Sequence, residues 1–582
     1  MLGLAVLAFA APASAASGRY DEIIDRMVKE GRNDLPVIVR YKDDASHARG
    51  KKALKGKRVQ LHHEMKRLRA MGMKADRAAL LELMKGSDIA SVSYDAPMQA
   101  SQDPSLPPVP VSIDASGSKA ARDRYGMKGD GVTVAIIDSG VQPNPDLPAE
   151  RIRAFVDLVN GQTQPYDDYG HGTHVAGIIA GNGAQSWGYV TGAAPNAQIV
   201  AVKVLDGTGR GATSTVLAGL EWVLTNHAAY NIRVVNLSIG HPIYEAAATD
   251  PLVQAVEALS KEGVVVVVAS GNLANKNADH SAKYGTVTSP GNAPSAITVG
   301  AVNTNGTLHR GDDFVAAFSG RGPTRFDQSI KPDIVAPGYA IVSTIPTGSY
   351  LQRTYPALAG YGYMQLNGTS MASPVVAGAA ALVLGANPAL SAHTVKAVLQ
   401  YTAQRLPGLN AMTQGAGEVN MAGAVRLATM INPHAQPGTN WIKGGRRLTR
   451  ADLVYDEIVP WGRATIWGQN LYVGQSVYLN LPQWDDTLVW GFTDNIVFSF
   501  ADNIVFSFTD DNIVWTFDDS QLALAADDNI VFSFADNIVF SFADNIVFSF
   551  DDNIVFSFAD DNIVWTFGAP LESAAVFTGG IR

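Results

Sequence analysis

Val132-Thr-Val-Ala-Ile-Ile-Asp-Ser-Gly140 is an apolar run that stops on a carboxylate and a small turn. Polar and apolar side chains do not alternate in it, so a strand here has both faces covered. Similar runs follow at Gln198–Val204, Val234–Ile239, Val264–Ala269 and Ala296–Val302, separated by helical or loop segments. Short, wholly apolar strands of this kind predict an α/β fold with a parallel sheet over residues 117–430. Gly and Ala recur near the strand ends, which suits tight turns and close helix–sheet packing.

Outward from that core the chain divides by charge. Its 582 residues are enough for two to four domains. Residues 485–568 hold sixteen Asp and no Glu, Lys or Arg, against a formal charge of −10 for the whole chain, so the rest carries about +6. Segment 19–100 accounts for that surplus, with eighteen Lys/Arg against twelve Asp/Glu. Within 35–100, Leu35–Lys42 alternates as a strand does. Residues 76–85 place Ala79, Leu80 and Leu83 on one helical face after Asp76 as N-cap, and Ile89–Tyr94 returns to alternation. The expectation is a small α+β module, followed by a Pro-rich linker at Asp103–Pro110.

The first fifteen residues are apolar and end in Ala13-Ser-Ala15, the pattern of a cleaved signal peptide, so a secreted, extracellular protein is expected. The chain has no cysteine, so export here brings no disulfide framework. No uninterrupted apolar run reaches eighteen residues; neither a transmembrane span nor a nucleic-acid partner is expected. Segment 431–484 reads as a linker or small β-rich region. Beyond it DNIVFSF occurs six times, starting at Asp494, Asp502, Asp528, Asp536, Asp544 and Asp552, with DNIVWTF at Asp511 and Asp561. Antiparallel hairpins would mix the two faces of these repeats, whereas a parallel coil of two repeats, about sixteen residues, keeps every Ile/Phe/Phe face inward. The coil is preferred; a low-complexity tract with Asp gatekeepers is the alternative.

Three blocks carry chemistry. Gly368-Thr-Ser-Met-Ala372 leads into an apolar helix, which puts Ser370 at a helix N-terminus where free N–H groups can hold an oxyanion. Gly170-His-Gly-Thr-His-Val-Ala-Gly177 leaves His171 open between glycines. His174 reads as structural, because no third ligand or HExxH pattern supports zinc. Asp138 ends the buried run, where a carboxylate that orients an imidazole belongs. Singly, Ser370 reads as a helix cap and Asp138 as a strand-end turn. Together the three blocks supply acid, base and nucleophile in the order Asp, His, Ser.

These blocks resemble those of the subtilisin-like serine peptidases, the subtilases, over about residues 125–425. The resemblance implies a subtilisin-like α/β domain in which Asp138, His171 and Ser370 form the catalytic triad. It implies that Asn272, in Val268-Ala-Ser-Gly-Asn272, donates to the oxyanion. Asp206-Gly-Thr-Gly209 and Asn236-Leu-Ser-Ile-Gly240 are similar to the two edges that hold substrate backbone, with Gly207, Gly209, Ser238, Ile239 and Gly240 as the contacts. Phe318–Pro323 and Lys331–Gly338 also fit the family pattern. The 35–100 module resembles the family's ferredoxin-like propeptide, an intramolecular inhibitor that the enzyme cuts off within 96–116. The chemistry needs no cofactor; Asp146 matches a structural calcium ligand, although the loop Gly181–Gly188 departs from the family's. Thr288-Ser-Pro290, near the pocket for the residue before the scissile bond, lacks an acid, which argues against strict Arg/Lys preference. The implied function is a secreted serine endopeptidase acting on polypeptides. The alternative is a surface adhesion or structural protein whose C-terminal repeats carry the function.

Overall fold

The computed structural model describes residues 21–473, apart from 55, 86, 101–112, 275–282, 435–441, 446, 447 and 449, and the strands alone between 489 and 567. The signal-peptide segment, the Pro-rich linker and the Asp residues that open the repeats lie outside the described residues.

Four strands near the N-terminus, β1 (Leu35–Tyr41), β2 (Val59–Met65), β3 (Ala70–Ala75) and β4 (Ile89–Tyr94), pair antiparallel in the order β2-β3-β1-β4. Helices Asp44–Ala53 and Arg77–Met84 connect β1 to β2 and β3 to β4, a split βαβ arrangement. Alternation along β1 sends Leu35, Val37, Val39 and Tyr41 into a core with Met71, Met73, Leu80 and Val92. Ile38, Met65 and Ala70 face the other way and join the core of the larger domain. Asp76 accepts the Ala79 N–H at 2.7 Å, the capping bond its position in the sequence predicts. The helix Asp44–Ala53 and the β2–β3 hairpin are not evident from the sequence. The helix has no apolar stripe, and β2 (VQLHHEM) is largely exposed, so neither shows a burial period. A fifth strand, β5 (Pro97–Ala100), follows β4 and leaves the sheet.

The larger sheet is built from β6 (Thr133–Asp138), β7 (Ile152–Asp157) and β8 (Gln198–Lys203), then β10 (Ile232–Leu237), β12 (Val265–Ala269) and β14 (Ile297–Asn303). Strand β15 (Phe314–Val315) runs antiparallel at one edge and β16 (Ile334–Pro337) pairs parallel with β14. The order is β15-β14-β12-β10-β6-β8-β7, and every pairing except that of β15 is parallel. β6 and β12 are buried along their whole length, the expected consequence of helices on both faces. The helix Thr369–Ala386 is long and apolar enough to cross a bilayer, but 89% of it is buried inside the protein, so it is a core helix. A second, small sheet takes β9 (Arg210–Ala212), β11 (Ile239–Pro242) and β13 (Thr288–Ser289) together with β5.

After the core, two hairpins, Ala451–Val454 with Glu457–Pro460 and Ala464–Trp467 with Asn470–Val473, close against the domain. Trp461 is buried between them and donates from Nε1 to Asp452 Oδ2 at 2.5 Å, and Arg426 holds the other oxygen at 3.1 Å. In the repeat region Ile496, Ile513, Ile530, Ile546 and Ile563 stand in register in one five-stranded parallel ladder. Val539 pairs with Val555 in a separate parallel pair; each pairing skips one repeat except that of Ile513 with Ile530, whose repeats are consecutive.

Trp461→Ala removes a buried ring and leaves Asp452 with one donor fewer. It is expected to cost about 3–5 kcal/mol in urea unfolding of the full chain. Trp461→Phe, which keeps most of the volume, should lose clearly less.

Candidate active site

The carboxyl end of β6 carries Asp138, which is fully buried. Its Oδ1 and Oδ2 lie 2.8 and 2.9 Å from Nδ1 of His171, which is also fully buried. His171 is the first residue of the helix His171–Ala180, behind Gly170 at φ 106°. With Nδ1–H donating to Asp138, Nε2 is left as an acceptor, and it has no hydrogen-bond partner. Gly172 is required by space: a Cβ there would stand 2.1 Å from the Gly140 carbonyl oxygen.

Ser370 is the second residue of the helix Thr369–Ala386 and is fully buried. Its hydroxyl donates to the Ser238 carbonyl at 2.7 Å rather than to His171. At this helix start, the Thr369 N–H goes to Asn272 Oδ1 at 3.0 Å, and those of Met371 and Ala372 go to the Gly368 carbonyl. The Thr369 hydroxyl donates to the same Asn272 oxygen at 2.9 Å. The Asn272 amide is thereby fixed by its oxygen, and its Nδ2 is buried without a partner. An unpaired, oriented donor beside a helix N-terminus suits a developing negative charge. The structure thus brings Asp138 to His171 and Asn272 to the start of the Ser370 helix.

His174 lies one turn further on, with Nε2 against the Met364 carbonyl at 2.9 Å. Burial pushes its pKa down to about 3, so it stays neutral. Lys203, opposite Asp138 on β8, was not singled out by the sequence. Its fully buried ammonium donates to the carbonyls of Ser139 and Leu205 and to Asp168, all at 2.7–2.8 Å. A lysine ending an apolar run carries no signal of its own until the sheet register is known.

The two edges expected to hold substrate face each other across a strand of this same chain. β5 pairs antiparallel with β11 on one side, Ala100 opposite Ile239 and Gln99 opposite Gly240. On its other side Met98 stands opposite Gly211 and Gln99 opposite Arg210 of β9. The sequence reading requires a correction here. The edge strand is Arg210–Ala212, and Asp206–Gly209 is the turn before it, closed by the Asp206 carboxylate on Thr208 and Arg210. Gly209 still meets β5, its carbonyl accepting the Ala100 N–H at 3.3 Å. Gly207 stays back in the turn, where a Cβ would stand 2.8 Å from Asp168 Oδ2. Ser238 serves the Ser370 helix as well: its hydroxyl donates to the Ser370 carbonyl at 2.9 Å, and Asn236 Nδ2 donates to that hydroxyl.

The surroundings of Asp146 do not fit the calcium ion that the family resemblance suggested. Its Oδ1 accepts the Gln185 N–H at 2.8 Å and its Oδ2 accepts the Tyr363 hydroxyl at 2.5 Å. Each oxygen thus already faces a hydrogen-bond donor, which competes with a cation for it. Among the described residues no group of three or more His, Cys, Asp or Glu could hold a metal. The long Gly181–Gly188 loop supplies Gln185, one of the two donors. Tyr363→Phe, which removes one of the two donors, is therefore expected to lower the thermal unfolding midpoint.

Residues 129–423 match the Peptidase S8 subtilase family. Serine protease AprX of Bacillus subtilis (strain 168) is 35% identical over 408 residues, 68% of this chain and 89% of that protein. Subtilisin E of the same organism is 35% identical over 384 residues, 66% of this chain and 87% of its own length. Subtilisin BL of Lederbergia lenta is 39% identical over 318 residues, 55% of this chain and 99% of that protein. The crystal structure of fervidolysin from Fervidobacterium pennivorans superposes with a TM-score of 0.53 at 23% identity, over 72% of this chain and 63% of that one, a likeness of fold.

Proposed function

Since the chain belongs to the subtilase family and is a subtilisin-like serine endopeptidase, we propose that Asp138, His171 and Ser370 are its catalytic triad and Asn272 its oxyanion donor. In the reaction the Ser370 hydroxyl exchanges its Ser238 partner for His171 Nε2. As Oγ attacks the peptide carbonyl, Nε2 takes its proton and Asp138 stays ionised, holding the imidazolium. Asn272 Nδ2–H and the Ser370 N–H receive the oxyanion. His171 then returns the proton to the leaving amine, and water releases the acyl group from Ser370 by the same steps in reverse. Thr288, whose side chain lies between the positions of Gly240 and Gly271, adds no charge that would select Lys or Arg.

One observation carries this reading. An extended stretch of the chain, Pro97–Ala100, is hydrogen-bonded between β9 and β11 as a peptide substrate would be, and β11 leads back to Ser238, the residue that holds the Ser370 hydroxyl. Because β5 closes the 35–100 module, we read that module as an intramolecular inhibitor, removed by self-cleavage within residues 96–116. The module is anchored beside the cleft as well: Glu221 accepts the N–H groups of Arg67 and Leu68, and Asp95 accepts Ser214 N and Oγ at 2.7 and 2.6 Å. Export through the Met1–Ala15 segment belongs to the same proposal. The adhesion reading of the repeats finds no support in the family or in the relatives above.

A serine-directed phosphonate is expected to label wild type and not Ser370→Ala. Mass spectrometry should find Ser370→Ala as an uncut precursor, and wild type with a new N-terminus within the 96–116 segment. Normal processing in that variant would refute self-cleavage. Asn272→Ala should lower kcat by about 10²–10³ with KM little changed, read on a peptide substrate.

A further inference from the structure

The start of the His171 helix is held by a carboxylate that the proposed chemistry leaves unused. Asp167 is 3% exposed. Its Oδ1 accepts the Gly170 N–H at 2.8 Å and the Ser139 hydroxyl at 2.9 Å. Its Oδ2 accepts the Thr173 N–H at 2.8 Å and the Thr173 hydroxyl at 2.7 Å. Each oxygen faces an amide N–H, a donor that cannot reverse, so both must act as acceptors. Ser139 extends the link: its Oγ accepts the Gly172 N–H at 2.9 Å and its own N–H donates to Asp138 Oδ1 at 2.7 Å.

Satisfying the free N–H groups of a first turn is the ordinary work of a helix cap. A cap, however, touches only its own helix. Asp167 and Ser139 together hold the amides of residues 170, 172 and 173, on both sides of His171, and tie them to the residue that follows Asp138 on another element. The glycines leave no slack, since a Cβ on Gly172 would meet the Gly140 carbonyl at 2.1 Å and one on Gly170 would meet Ile345 at 2.7 Å.

We propose that Asp167, acting through Ser139, is a positioning residue for the hydrolysis: the pair sets the angle at which His171 presents Nε2 while Nδ1 faces Asp138. This rests on the triad reading above. Asp167→Asn keeps the shape but turns an amide NH2 toward the N–H of Gly170 or Thr173, donor against donor. Ser139→Ala cuts the bridge and leaves three of the four Asp167 contacts in place.

The test uses the full chain, with active sites counted by complete phosphonate labelling and unfolding followed separately. Expected is a fall in kcat per labelled site of about 10- to 100-fold for Asp167→Asn, with KM unchanged, since misplacing a catalytic group by about 1 Å costs about 100-fold. Ser139→Ala should show the same split with a smaller fall, and it carries the test if Asp167→Asn does not fold. A lower unfolding midpoint with kcat per labelled site unchanged would make the pair a plain cap and overturn the proposal. A wild type that neither labels nor cleaves peptide would overturn the triad reading and this one together; an active wild type with unaltered variants overturns this one alone.

Discussion

The hydrogen bond from His171 Nδ1 to Asp138 joins two fully buried side chains, and much of the domain is arranged to make it affordable. A carboxylate deprived of water is costly unless donors replace that water. Asp138 receives two kinds of donor, the imidazole and the Ser139 amide. The next strand contributes Lys203, whose ammonium is spent on carbonyls and on Asp168 around the same strand ends. The cleft wall is therefore a dense polar layer set on an apolar sheet. The parallel topology is what gathers these groups, because β6 and β8 end on the same side and deliver Asp138 and Lys203 as register partners.

The Ser370 side obeys the same economy of donors and acceptors. Asn272 uses its oxygen to hold Thr369 and so has its nitrogen aimed and unpaired. Ser238 sits between the helix and β11, linking the position of Ser370 to the strand that pairs with β5. Displacement of either segment would move nucleophile and backbone cleft together. Preorganised donors of this kind need little reorganisation when charge develops, which is the physical basis of oxyanion stabilisation.

The N-terminal module is held by two different kinds of contact. One face of its sheet adds Ile38, Met65 and Ala70 to the core of the larger domain, and β5 adds backbone pairing on both edges of the cleft. The first is non-directional, the second fixes register. In the proposed inhibitor role, burial supplies adhesion and β5 supplies the mimicry of substrate.

The sequence by itself determined the parallel core, because strands covered on both faces must be apolar throughout, as Thr133–Asp138 and Val265–Ala269 are. It singled out Asp138, His171 and Ser370 as candidates, since each lies in a short block of small residues, and Asn272 through the family resemblance alone. It did not reveal Lys203, Asp167 or Ser139: a lysine at a strand end, an aspartate before a helix and a serine in a turn are ordinary residues until register and packing bring them within 3 Å of their partners. Nor did it place Arg210–Ala212 as the edge strand, a choice made by pairing with β5, a segment more than a hundred residues away. The donors around Asp146 were hidden for the same reason, since Tyr363 reaches it from 217 residues along the chain. Local chemistry is written in local sequence; which donor meets which acceptor across the fold is decided by tertiary structure alone, because contacts between distant segments leave no periodic trace in either one.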